Sequence, residues 1–176
     1  GDVASVACSV DGTPLGGCGS PIQLAGPFAE GAHAVQVVAT ASGGATASDT
    51  WTWTVDVTPP TVALDGPTLT REPTPTYTFV ATGAIATTCQ VDDAPAAPCT
   101  SPFTTAALLD GTHAIRVFAV DAAGNLASDQ LDVVVDTVGP MLAIVAGPSG
   151  LTADATPTFG FTADADASTT CRVDAA

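Results

Sequence analysis

Cys8-Ser-Val10-Asp11 recurs as Cys89-Gln-Val91-Asp92 and again as Cys171-Arg-Val173-Asp174, at intervals of 81 and 82 residues. Cys18-Gly-Ser20-Pro21 returns as Cys99-Thr-Ser101-Pro102, and Glu30-Gly31-Ala-His33 as Asp110-Gly111-Thr-His113. Val55-Asp56 with Pro60 matches Val135-Asp136 with Pro140, and Gly66-Pro67 matches Gly147-Pro148. Thr74-Pro75-Thr76-Tyr77-Thr78-Phe79 has its copy in Thr156-Pro157-Thr158-Phe159-Gly160-Phe161. A chain that copies itself at this period reads as an array of like units. The copies divide it into a partial unit over 1–57 lacking its first strands, a complete unit over 58–138, and a partial unit over 139–176 with first strands only. Both breaks fall at nearly the same point of the unit, so 1–14 and 163–176 are two copies of one segment.

Within a unit the pattern is that of β-structure. Seventeen Gly and 14 Pro punctuate the chain, and no apolar run keeps helical spacing without one of them interrupting it. Short Val, Ile, Thr, Phe and Trp runs between turn residues predict strands. Trp51-Thr-Trp53-Thr-Val55-Asp and His113-Ala-Ile115-Arg-Val117-Phe-Ala119 alternate, so each covers a core with one face. In the complete unit strands are expected near Thr61–Leu64, Thr76–Ala81, Thr87–Asp92, Ser101–Ala106, Thr112–Val120 and Leu131–Asp136. An all-β unit of about 80 residues with six or seven short strands has the size of a two-sheet sandwich.

The run from Cys89-x-Val91-Asp92 through Cys99-Thr-Ser-Pro-Phe103 and Asp110-Gly-Thr-His113 to Asp121-Ala-Ala-Gly124-Asn125 and Val135-Asp136 resembles the tandem bacterial immunoglobulin-like (Big-type) repeats of large extracellular surface and adhesin proteins. The likeness is strongest over Cys89–Pro140 and weaker in the first unit, where Ala41-Ser-Gly-Gly44-Ala45 replaces Asp121-Ala-Ala-Gly124-Asn125. It implies tandem immunoglobulin-like β-sandwiches that serve as stalks, spacers or adhesive arrays outside the cell.

The cysteines fit that setting. Cys8 and Cys18, and again Cys89 and Cys99, are ten apart around turn formers. Each pair predicts a hairpin with a cysteine in each arm, and a disulfide across it. Zinc would need a CxxC-type element, which the sequence lacks. Bridges imply an oxidising compartment. Cys171 is left unpaired in this window, its expected partner lying past Ala176. The start at Gly1 suggests a mature or internal piece of a longer protein.

Other residues invite chemistry. His33 and His113 share one repeat position, in phase with Val35 and Ile115. No carboxylate or nucleophile is evident as a repeated partner, so they read as packed, hydrogen-bonded histidines. Trp51 and Trp53 on one strand face could stack on a sugar. Their counterparts Leu131 and Val133 cannot, which favours core packing. Asp121, Asn125 and Asp136 sit at strand ends with the oxygen chemistry of Ca²⁺, a possible cofactor. An ordinary Asx turn explains Asp121 and Asn125 equally well.

Net charge is −15, from 3 Lys+Arg against 18 Asp+Glu. Such a surface cannot neutralise phosphates, which excludes nucleic acid and anionic lipid as partners. No apolar stretch approaches the roughly 20 residues of a membrane helix. The expectation is therefore a non-enzymatic structural segment: a rod, stalk or filament at the bacterial surface, with an adhesive role open to it. Its partners are neighbouring repeats of the same chain or of identical chains. A ligand-binding adhesin module for a surface sugar or protein is the alternative.

Overall fold

The structure, a computed structural model, describes residues 2–165 and 167–173. The described residues form an all-β chain without a helix. Among the described residues no helix is long and apolar enough to cross a membrane.

Strands β1 (Val3–Val10), β2 (Thr13–Pro14), β3 (Gly31–Ala41) and β4 (Thr46–Val55) make one antiparallel sheet in the order β2-β1-β3-β4. Then come β5 (Thr61–Asp65), β6 (Leu69–Thr70), β7 (Thr76–Thr82), β8 (Ala86–Val91), β9 (Ala97–Pro98), β10 (Phe103–Thr104), β11 (Gly111–Val120) and β12 (Leu126–Val135). They form a three-stranded sheet, β10-β7-β5, and a five-stranded sheet, β6-β12-β11-β8-β9. A last hairpin pairs β13 (Leu142–Ala146) with β14 (Gly160–Ala163).

The two sheets of the middle stretch pack face to face. Tyr77 of β7 meets Ile115 of β11 and Val133 of β12, and all three are fully buried. Beside them Phe79 packs on Cys89 and Val117. Alternation does this: every second residue of β7 and β11 points between the sheets and the intervening ones point out. Gly66 lets the ring of Tyr77 lie against the backbone, where a Cβ would overlap it. Polar groups join the layers as well. Asp129 Oδ2 on β12 accepts the N–H of Leu64, at 2.8 Å, and Ser101 Oγ accepts that of Phe79, at 2.9 Å.

The sheet β2-β1-β3-β4 repeats the larger sheet in register. Val37 stands opposite Asp49 as Val117 stands opposite Asp129, and His33 opposite Trp53 as His113 opposite Val133. Hairpin β13–β14 repeats β5–β7: Ile144 pairs with Phe161 as Leu64 pairs with Phe79.

Four expected strands of the middle stretch form within a residue or two of their predicted bounds. The one placed at Ser101–Ala106 shrinks to Phe103–Thr104, because only those residues reach the edge of β7. The last begins at Leu126 and not at Leu131, since β12 pairs with β11 along its whole length. The two-residue strands β6 and β9 carry no periodic pattern of their own.

Candidate functional site

Three arrangements recur or join segments: the Asp–His clasps, the cystine hairpins and the junctions between successive β bodies.

In each clasp the aspartate ends the Cys-x-Val-Asp motif with a left-handed backbone, φ 51° at Asp11 and 52° at Asp92. Aspartate is among the few residues that tolerate this conformation. At the first copy it is followed by Gly12 at φ 77°, giving the two-residue turn that joins β1 to β2. The carboxylate then spans to the strand beside it. Asp92 Oδ1 accepts the N–H of Ala114 at 2.9 Å, and Oδ2 lies 2.7 Å from His113 Nδ1. Asp11 does the same with Ala34, at 2.8 Å, and His33, at 2.7 Å. The far nitrogen, Nε2, faces a carbonyl: Leu109 at 2.9 Å for His113 and Ala29 at 2.8 Å for His33. The histidines are thus packed and hydrogen-bonded at the strand start, as expected. The expectation that no carboxylate recurs beside them is wrong, since Asp11 and Asp92 are that partner.

Carboxylate and carbonyl oxygens only accept, so both ring nitrogens must donate. The cage therefore favours imidazolium. The Asp92 carboxylate and then the Leu109 carbonyl raise the pKa of His113 above 6.5. For His33 the Ala29 carbonyl leads and Asp11 follows. The aspartates are held below 3.8, first by the histidine and then by the backbone N–H of Ala34 or Ala114. A raised histidine contributes stability below its unfolded value that is lost as pH rises through the folded one. A lowered aspartate contributes above its unfolded value and loses it as pH falls through the folded one. The clasps are thus strongest between the unfolded values of 3.8 and 6.5. Melting temperature should decline as pH rises past neutrality, and H33Q/H113Q should flatten that decline. Equal slopes in wild type and variant would contradict the clasp.

The cystines form within the two hairpins: Cys8 bonds Cys18 and Cys89 bonds Cys99, with Cα–Cα separations of 5.4 and 5.7 Å. Cys89 is buried beneath Phe79 and Val117. Two disulfides suit an oxidising environment. Cys171 is exposed and unbridged among the described residues.

Both junctions are tied by a pair of carboxylates at equivalent repeat positions. Asp56 Oδ1 accepts the N–H of Thr58, at 3.1 Å, and Asp136 Oδ1 that of Val138, at 3.0 Å. From the strand start opposite, Glu30 accepts the Thr58 hydroxyl, and Asp110 accepts the N–H and hydroxyl of Thr137 at 3.0 and 2.8 Å. The first junction is also bonded forward, where Asn125 Nδ2 donates to the Asp56 carbonyl at 3.1 Å.

This forward contact tests the Ca²⁺ expectation. Asp121 is buried, and its Oδ1 accepts the N–H groups of Ala123 and Asn125 while Oδ2 accepts Asn125 Nδ2. The Asn125 amide lowers the Asp121 pKa. These oxygens are committed to N–H donors, and the carboxamide turns its nitrogen toward Asp56, as an Asx turn requires and a cation would not. Asp136 lies at the other end of the β11–β12 hairpin, roughly 30 Å away at ~3.3 Å per residue. The three residues do not form one donor set. Among the described residues no group of three or more His, Cys, Asp or Glu is arranged to hold a metal.

Trp53 stacks on His33, with centroids 5.4 Å apart, and Phe28 meets Trp53 edge-on at 5.2 Å. Trp51 is 74% exposed. No protein-family model matches the chain, and no curated protein matches it.

Proposed function

We propose that the chain is a segment of a tandem array of immunoglobulin-like β-sandwiches, related in kind to bacterial Big-type repeats, that works outside the cell as a rod, stalk or filament. The observation that carries this reading is the pair of junctions. Each is only a few residues long and contains proline, which restricts the backbone and favours an extended path. Each is also clamped by an acidic residue on either side. Short linkers with their polar groups spoken for transmit direction from one body to the next.

Chemistry is a poor alternative. In a hydrolytic triad the histidine nitrogen remote from the aspartate addresses a nucleophile. In both clasps that nitrogen meets a backbone carbonyl. Two disulfides in one short chain favour an exported location. The acidic surface, with no lysine, keeps exposed strand edges from adhering indiscriminately.

Electron microscopy of the native assembly tests the reading. Straight particles beaded at about 35–40 Å, the length of one such body at ~3.3 Å per strand residue plus turns, are the expected image. Compact globules without axial periodicity would refute it.

A further inference from the structure

Each histidine clasp is joined to a junction through a single residue step. His113 Nε2 faces the carbonyl of Leu109 at 2.9 Å, and the next residue, Asp110, holds the N–H and hydroxyl of Thr137. In the first copy His33 Nε2 faces the carbonyl of Ala29 at 2.8 Å, and the next residue, Glu30, holds the Thr58 hydroxyl. The same lever therefore stands at both joints: imidazole, carbonyl, adjacent carboxylate, linker threonine. Among the described residues little else fixes the step in between. The side chains of Leu109 and Ala29 are exposed, Leu109 at 83%, so neither packs its residue in place. The flanking backbone anchors are Leu108 N–H on the Pro73 carbonyl, at 2.8 Å, and Gly111 opposite Val135.

Which ring nitrogen gives up a proton follows from its partners. Nδ1 points at a carboxylate, and such a charge-assisted bond is stronger than one to a neutral carbonyl. Deprotonation therefore keeps Nδ1–H on Asp92 or Asp11 and takes the proton from Nε2. The bare Nε2 lone pair then meets the lone pairs of the Leu109 or Ala29 carbonyl, and two acceptors repel. The other groups around the rings do not alter that choice. Asp92 faces His113 from just past β8, and Arg116 of β11 reaches the Asp92 carbonyl at 3.4 Å. On β12 the residue opposite is the uncharged Val133, and from the loop Asp110 turns its Oδ1 to Thr137. Around His33 stand Asp11, the rings of Trp53 and Phe28, and Glu30, which is turned to Thr58.

We propose that His33 and His113 are proton-operated latches on the two junctions: as imidazolium they hold the Ala29–Glu30 and Leu109–Asp110 steps against the linker, and on deprotonation they let the clamp open. The cages raise both histidines above 6.5, the Asp92 carboxylate leading at His113 and the Ala29 carbonyl at His33. The latch is thus fully closed below 6.5 and opens as pH rises through the higher folded value. It is a property of each joint and stands apart from the role of the array outside the cell.

Amide exchange of the intact chain, followed by NMR and corrected for intrinsic rates, reads the latch at Thr137. Its N–H is held by Asp110, whereas the neighbouring Val138 N–H is held by Asp136 and lies outside the lever. As pH rises through the His113 titration, read from the ring Cε1–H shift, Thr137 protection should fall roughly tenfold, the worth of one hydrogen bond to a charged group. Its midpoint should match that of the ring, and Val138 should keep its protection. Asp110→Ala should leave Thr137 unprotected at low and high pH alike. His113→Phe, a ring of similar size without donors, should show the high-pH value throughout. Should that variant fail to fold, the wild-type midpoint alone decides. Thr137 protection that is flat across the His113 titration overturns the proposal. So does a parallel loss at Val138, which marks general loosening of the body, or wild-type protection in either variant. None of these results touches the beaded image expected of the array, so the two readings fail separately.

Discussion

Tyr77→Ala lowers the stability of the middle body by about 3–5 kcal/mol, the range for emptying an aromatic site in a packed core. Tyr77 is fully buried and is the residue through which the smaller sheet touches both Ile115 and Val133. Its removal leaves a void flanked by Gly66, which has no side chain to fill it. Few aromatics share the load, since the whole chain has 6 Phe, 2 Trp and 1 Tyr. Tyr77→Phe should stay within about 1 kcal/mol of wild type, because the hydroxyl only reaches the Pro67 carbonyl at 3.4 Å. Burial raises the Tyr77 pKa, so the neutral ring is the form the core holds. Denaturant titration followed by circular dichroism measures both variants. A loss under 1 kcal/mol for the alanine variant would mean that the sheets are not held together here.

Removing the Cys89–Cys99 bridge has the next largest effect. The loop it closes is short, with a sequence separation of 10, and loop entropy assigns such a bridge roughly 2–3 kcal/mol. For a body of this size that corresponds to about 10–20 °C in melting temperature. Cys89→Ala/Cys99→Ala should show that drop while leaving Cys8–Cys18 closed. The loss acts on packing as well, because Cys89 forms part of the floor on which Phe79 and Val117 meet. Calorimetry of the double variant decides it, and a melting temperature within a few degrees of wild type would show that the hairpin is rigid without its staple.

Strands and cystines were legible because their signals are local. Period-two alternation marks β7 and β11, and a ten-residue cysteine spacing around Asp11-Gly12 marks a hairpin. What could not be read depends on partners distant in sequence. Leu126-Ala-Ser-Asp-Gln130 lacks β-branched residues and becomes strand only because β11 offers a ladder ten residues long. Asp92 and His113 stand 21 residues apart in two separate motifs, so their pairing appears only when β8 lies beside β11. Both motifs recur in step, however, and reading them together would have paired the carboxylate with the imidazole. The acidic set Asp121, Asn125 and Asp136 was divided by strand length: ten residues of β12 carry its members to opposite ends of one hairpin.

The bond from Asn125 to the Asp56 carbonyl acts off the axis of the linker. A covalent tether alone is a swivel, whereas a tether plus one lateral attachment has a preferred azimuth. Rotation between the bodies it joins is therefore set, and a succession of such joints would accumulate a defined helical pitch. The turn Ala41–Ala45 is closed by backbone alone, Ala41 N–H to the Ala45 carbonyl at 2.8 Å, with no carboxamide to reach outward. In the array proposed above, the twist at a joint would then depend on whether this one asparagine is present.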